Sequence, residues 1–110
     1  MISTILTASG LSFRESFFPR LPAETCVVYQ EDVELDGPDA VAPPEGGLPC
    51  IYHHDVLLEL YALKADSEAE AALETAIRAQ GLTFKKYSRE WVSTIQRYMT
   101  NYELSYTSKF

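Results

Sequence analysis

Few residues in this chain have types and spacing suited to bond chemistry. The clearest group is His53-His54-Asp55. The segment around it alternates like a strand, so adjacent histidines point to opposite faces and cannot ligate one metal ion together. His53 and Asp55 share a face and can pair, but two ligands fall short of the three or four that a zinc site needs. Cys26 lies in an apolar run and Cys50 follows Pro49 beside an acidic stretch. Neither setting is the electropositive one that makes a reactive thiolate, and their spacing matches no metal or redox motif. Two buried thiols are expected. No G-x-S-x-G elbow or P-loop occurs, and Gly37, Gly46 and Gly47 are flanked by acids, which repel phosphate. The tyrosines near the C-terminus could stack on nucleobases with Lys85, Lys86 and Arg97 nearby, but tyrosines at strand spacing usually serve core edges and interfaces. The expectation is a protein with no catalytic residue, no cofactor and no metal.

The elements that must position these residues come from a chain of 110 residues with 46% hydrophobic content and a net charge of −7. That length reads as a single domain, residues 1–110, able to hold a core without disulfides or metals. The acidic balance disfavours nucleic acid and anionic membrane surfaces as general partners. No charge-free apolar run approaches the roughly 20 residues of a membrane helix. The start, Met1-Ile2-Ser3-Thr4-Ile5-Leu6, lacks the basic segment of a secretory signal.

The charge is unevenly placed. Residues 1–45 carry −6, residues 46–79 carry −4 and residues 80–110 carry +3. The densest acidic stretch is Glu31, Asp32, Glu34, Asp36, Asp39 and Glu45, with no base among them. Opposite signs on different surfaces suit head-to-tail packing of copies.

Ile2, Ile5, Leu6 and Ser9 fall on one helical face, closed by Gly10. Leu11 to Phe18 has β-type residues and stops at Pro19. Thr25 to Gln30 reads as a buried strand, with Val33 to Leu35 extending it or forming a short edge. Residues 36–49 hold four prolines and three glycines and must be a long protruding loop. Ile51 to Leu63 is the strongest strand; Tyr52, Val56, Leu58, Leu60 and Ala62 form its core face. Ser67-Glu68-Ala69-Glu70 fits a capping box at the start of a helix with an Ala69, Ala72, Leu73, Ala76, Ile77 stripe, closed by Gly81. Leu82–Tyr87 and Ile95–Thr107 read as further strands. This order argues an α+β fold: an antiparallel sheet with both helices on one face.

The succession of a short N-terminal helix, the Thr25–Gln30 strand, Tyr52-His53-His54-Asp55-Val56-Leu57-Leu58-Glu59-Leu60-Tyr61, the turn Lys64-Ala65-Asp66, a helix to Gly81, Phe84-Lys85-Lys86-Tyr87 and a final strand ending Tyr102-Glu103-Leu104-Ser105-Tyr106 resembles a family of small prophage proteins from Gram-positive bacteria. These are tail-completion, or tail-terminator, proteins of long-tailed phages. The resemblance implies an α+β fold and a ring, often of six subunits, at the head-proximal end of the tail. It implies contact with tail-tube and head-connector proteins, and neither enzyme activity nor cofactor. It also implies residence in the host cytoplasm during assembly and in the virion tail afterwards. A head-side connector or stopper, and a small-molecule-binding α+β module, are the alternatives. On this reading the acidic Glu31, Asp32, Glu34, Asp36 and Asp39 form one contact surface. Lys85, Lys86, Arg89 and Arg97 form its complement, and Trp91 and Tyr102 supply buried aromatic area. No membrane and no sequence-specific nucleic acid are expected as partners.

Overall fold

The computed structural model describes residues 1–15, 24–35 and 51–109. The elements in chain order are α1 (Ile2–Ser9), β1 (Ser12–Glu15), β2 (Cys26–Leu35), β3 (Ile51–Ala62), α2 (Ser67–Ala79), β4 (Lys85–Lys86), β5 (Glu90–Val92) and β6 (Arg97–Lys109). The fold is α+β. The sheet runs β1-β2-β3-β6-β4, with β5 also paired to β6. The proline-rich stretch 36–49, with Asp36 and Asp39, lies outside the described residues.

The sheet is mixed, not wholly antiparallel. β2, β3, β6, β4 and β5 pair antiparallel, but β1 runs parallel to β2 with Ser12 opposite Cys26. The cause is the turn at Gly10. Its φ of 75° and its N–H bonded to Thr7 O close α1, so β1 starts at the same end of the sheet as β2. Such a positive φ suits glycine, which has no Cβ to clash.

One sheet face carries the core. Val27 of β2, Val56, Leu58, Leu60 and Ala62 of β3, and Tyr102 and Leu104 of β6 meet Ile2, Ile5 and Leu6 of α1 and Ala69, Leu73, Ala76 and Ile77 of α2. The period-two pattern of β3 and the helical period of α2 therefore point at the same layer. The element that α2 approaches most closely is α1.

Three local expectations change. The cap of α2 is Asp66, one residue before Ser67: its Oδ1 accepts from Ala69 N at 3.0 Å. Its Oδ2 accepts from Thr25 Oγ1 at 2.6 Å, so the same side chain ties the helix start to the entry of β2. Glu70 is thereby released from capping. The strand expected over 82–87 contracts to Lys85–Lys86. The final strand starts at Arg97, because 93–96 form a turn in which Gln96 adopts φ 51° and Arg97 Nη1 donates to Ile95 O and Gln96 O. The residues before that turn supply β5.

Helix and strand lengths do not match. At about 1.5 Å per residue the 13 residues of α2 span about 20 Å, whereas the 13 residues of β6 at about 3.4 Å per residue span about 44 Å. Glu70 lies over Thr100 and Glu74 over Tyr102, so α2 advances along β6 and ends near Phe84, where Arg78 lies 5.2 Å from the ring. Beyond that level β2, β3 and β6 continue with no helix over them among the described residues. Residues 32–35, 51–55 and 105–109 form this three-stranded extension, and the molecule measures 55 × 26 × 22 Å.

Candidate functional site

Two polar constellations flank the point where helix cover ends. The first lies under α2. Glu70, 4% exposed, sits on the core-facing side of the helix with Leu73 and Ile77. Arg89 Nε donates to its Oε2 at 2.8 Å, Thr100 Oγ1 donates to the same oxygen at 3.0 Å, and Lys86 Nζ lies 3.0 Å from Oε1. One turn on, Glu74 Oε2 accepts from Lys86 Nζ at 2.8 Å and from Tyr102 OH at 2.9 Å. Two carboxylates and two cations thus pair in a partly enclosed space, which avoids the large cost of burying a lone charge. The hydrogen bond from Arg89, helped by Lys86 and Thr100 and opposed by burial, lowers the Glu70 carboxyl to about 2. For Glu74 burial works against ionisation, but Lys86 and Tyr102 outweigh it and hold the carboxyl below its usual range. Burial and the Glu74 carboxylate push the Tyr102 hydroxyl far up, so it stays a donor.

The second constellation lies on the same sheet face at the root of the extension. Glu31 (β2), His54 (β3) and Ser108 (β6) form a line across three strands. His54 Nδ1 lies 2.6 Å from Glu31 Oε1, and Nε2 lies 2.7 Å from Ser108 Oγ. A carboxylate only accepts, so in the contact with Glu31 the imidazole Nδ1 is the donor. Tyr106 lies flat on the imidazole, 4.4 Å between centroids and 7° between planes, and its OH donates to the same Glu31 oxygen at 2.9 Å. Burial and Glu31 both raise the Tyr106 hydroxyl. Serine, histidine and carboxylate here stand in the order of an acyl-transfer relay. They stand on flat strands, however, and not with the serine raised on a sharp turn as in a nucleophile elbow. Their evident effect is to bind one residue of each strand to the next.

The opposite face of the extension is polar and open. His53 Nε2 lies 3.1 Å from Asp55 Oδ1, as their shared face allows. Asp32 stands directly across from Asp55. A groove of about 620 Å³ runs beside them, lined by Gln30, Asp32, Asp55, Leu57, Lys85 and Glu103 among others. Among the described residues no group of three or more His, Cys, Asp or Glu side chains is arranged to hold a metal ion. No helix among them is long and apolar enough to cross a membrane.

The expected contact residues therefore scatter. Asp32 and Glu34 are exposed on the extension, while Glu31 turns inward to His54 and Tyr106. Lys85 is exposed over the Tyr87 ring, but Lys86 and Arg89 are engaged by Glu70 and Glu74. Both remain exposed to solvent while their charges are paired with Glu70 and Glu74. Arg97 holds the turn carbonyls, and Trp91 is 51% exposed with its ring edge-on to Tyr98 at 5.0 Å. Tyr102, expected at an interface, is fully buried in the monomer core beneath α2, because its strand position faces the helix and Glu74 takes its hydroxyl. Cys26 is buried and free, and burial raises its thiol to about 11; Cys50 lies outside the described residues.

Sequence reasoning missed the Glu70–Glu74 network, though a signal was present. Glu70, Leu73 and Ile77 repeat at helical spacing, which puts Glu70 on the apolar face where a lone carboxylate needs partners. The four-residue step to Glu74 carries a second carboxylate along the same side. No protein-family model matches the sequence, and no curated protein matches it.

Proposed function

We propose that this protein is a non-enzymatic structural component of a phage tail. It acts at the head–tail junction as a tail-completion or terminator protein and assembles with copies of itself into a ring. The reading rests on the sequence resemblance, and one structural observation supports it: a helix-backed sheet continues into a three-stranded extension that no element among the described residues covers. A strand system that outruns its own helices leaves surface for neighbours. Exposed Trp91 adds an aromatic anchor of the kind that dominates interfaces. Individual exposed charge pairs across such contacts contribute little. The same architecture serves a head-side connector, and the partner separates the two roles.

The test is light scattering and negative-stain imaging of the purified protein, alone and mixed with tail-tube or portal-ring protein. Rings formed alone or on the tube are the expected result. A protein that stays monomeric in every mixture overturns the reading, and rings formed only on the portal move it to the head side.

A second reading, acyl transfer at Ser108, is favoured by the 2.7 Å and 2.6 Å contacts of the Ser108–His54–Glu31 line. Labelling by a fluorophosphonate, lost in Ser108→Ala and His54→Ala, would establish it; an unlabelled wild-type protein would dismiss it.

A further inference from the structure

The chain carries one tryptophan, Trp91, and it is half exposed. It stands opposite Tyr98 in the β5–β6 pair, and the two rings meet edge to face, 66° between planes and 5.0 Å between centroids. Aromatic surfaces of this kind take proline-rich segments: a proline ring packs on the aromatic face, and its stiff, extended backbone has little entropy to lose. The chain also contains a proline-rich segment. Residues 38–49 read Pro-Asp-Ala-Val-Ala-Pro-Pro-Glu-Gly-Gly-Leu-Pro, with Pro43 and Pro44 adjacent.

The segment is anchored far from the aromatic corner. It leaves β2 at Leu35 and rejoins β3 at Ile51. Leu35 is opposite Tyr52, and Tyr52 is opposite Ser108, whereas Trp91 is opposite Tyr98. Ten residues of β6 separate these levels, about 34 Å at about 3.4 Å per residue, and β5 lies three strands across from β2. Eight residues join Leu35 to Pro43, and seven join Pro44 to Ile51. Even fully extended, eight residues reach no more than about 29 Å. The prolines of one copy therefore fall short of its own Trp91.

We propose that Pro43 and Pro44 of one copy dock on the Trp91–Tyr98 corner of the next. Each copy then offers a proline ligand at one end and an aromatic corner at the other. Such a head-to-tail contact repeats, and it closes into a ring when the rotation per subunit divides the circle. This inference rests on the ring-forming reading above and specifies its contact.

The single tryptophan makes the contact directly observable. In the full chain, Pro43→Ser with Pro44→Ser removes the ligand, and Trp91→Ala removes the corner; urea titration checks that both variants fold. A synthetic peptide of residues 38–49, added to the proline double variant, should shift Trp91 emission to saturation. The same peptide with serine at both Pro43 and Pro44 should bind at least tenfold more weakly. Each full-length variant should lose assembly at least tenfold in light scattering, alone and on tail-tube protein. Mixed together, the two variants complement each other through one contact, and dimers that grow no further should appear in sedimentation velocity. A proline double variant that assembles like the parent, or a peptide that leaves Trp91 emission unchanged, overturns this contact and leaves the ring-forming reading intact. A parent that stays monomeric alone and on tail-tube or portal-ring protein overturns the ring-forming reading itself.

Discussion

The sheet has two halves that share strands but differ in how they are held. Under the helices, Leu58, Leu60, Tyr102 and Leu104 are buried against Leu73, Ile77, Ile5 and Leu6, and buried Glu70 and half-buried Glu74 are matched by two cations and two hydroxyls. In the extension the same three strands are linked by the Glu31–His54–Ser108 line with Tyr106 stacked on it, while Val33 is 52% exposed. The first half owes its stability to burial. The second is tied across its strands by hydrogen bonds whose net worth is about 1 kcal/mol each. The difference teaches that one sheet can be held by burial under its helices and by side-chain hydrogen bonds beyond them.

The largest effect should come from emptying the covered half. Leu58→Ala should lower unfolding free energy by about 2–5 kcal/mol in urea titrations. Val33→Ala, in the extension, should change it by no more than about 0.5 kcal/mol. Comparable losses at both sites would erase the distinction.

Next comes the buried ion network. Glu70→Gln should cost about 2–4 kcal/mol near neutral pH, since Arg89 loses its carboxylate partner and Lys86 keeps only Glu74; the partial exposure of both cations softens the loss. The Glu70 carboxyl has a lower pKa folded than unfolded, so as pH falls the unfolded chain takes up the proton first. The contribution of Glu70 is complete above the ordinary value of 4.5 and drains away as pH falls toward about 2. On the order of 3 kcal/mol should vanish across that range, and Glu70→Gln should flatten the acid limb of a pH–stability curve. An unchanged limb would place the acid sensitivity elsewhere.

A smaller effect is expected at the root of the extension. His54→Ala should cost about 1 kcal/mol or less of global stability. It should nevertheless speed amide hydrogen exchange in 32–35 and 105–109 while leaving 57–61 protected, the signature of local opening. A uniform rise in exchange would show that the halves unfold as one.

The smallest effect on stability belongs to the exposed acids of β2. Asp32→Asn with Glu34→Gln should leave the unfolding free energy from urea titration within about 0.5 kcal/mol of the parent. A larger shift would show that these acids take part in holding the extension.

Most of the fold was legible before the structure. The two-residue alternation of 52–62 named the core face of β3, the Ala69–Ile77 stripe named the buried side of α2, and Gly10 and Gly81 marked the helix ends, both now with positive φ. Those signals are local: each follows from the geometry of one element and its contact with water. The parallel direction of β1, the Asp66 cap, the shrinkage of β4 and the turn at 93–96 were not legible, because each depends on which segment arrives alongside.

The same division governs the candidate contact residues. From sequence, Lys86, Arg89 and Tyr102 look like surface groups of a basic strand region, because charge and aromaticity favour interfaces. Only the tertiary structure seats α2 over them, and Glu70 and Glu74 then claim all three. The sequence by itself determined the α+β class, the buried faces and the unequal distribution of charge, since these depend on residue order and on the preference of apolar side chains to leave water. The tertiary structure alone decided which charges are already neutralised and which remain open. That choice depends on lengths: a helix rising about 1.5 Å per residue cannot cover strands rising about 3.4 Å, and Asp32 and Glu34 lie exposed beyond its reach.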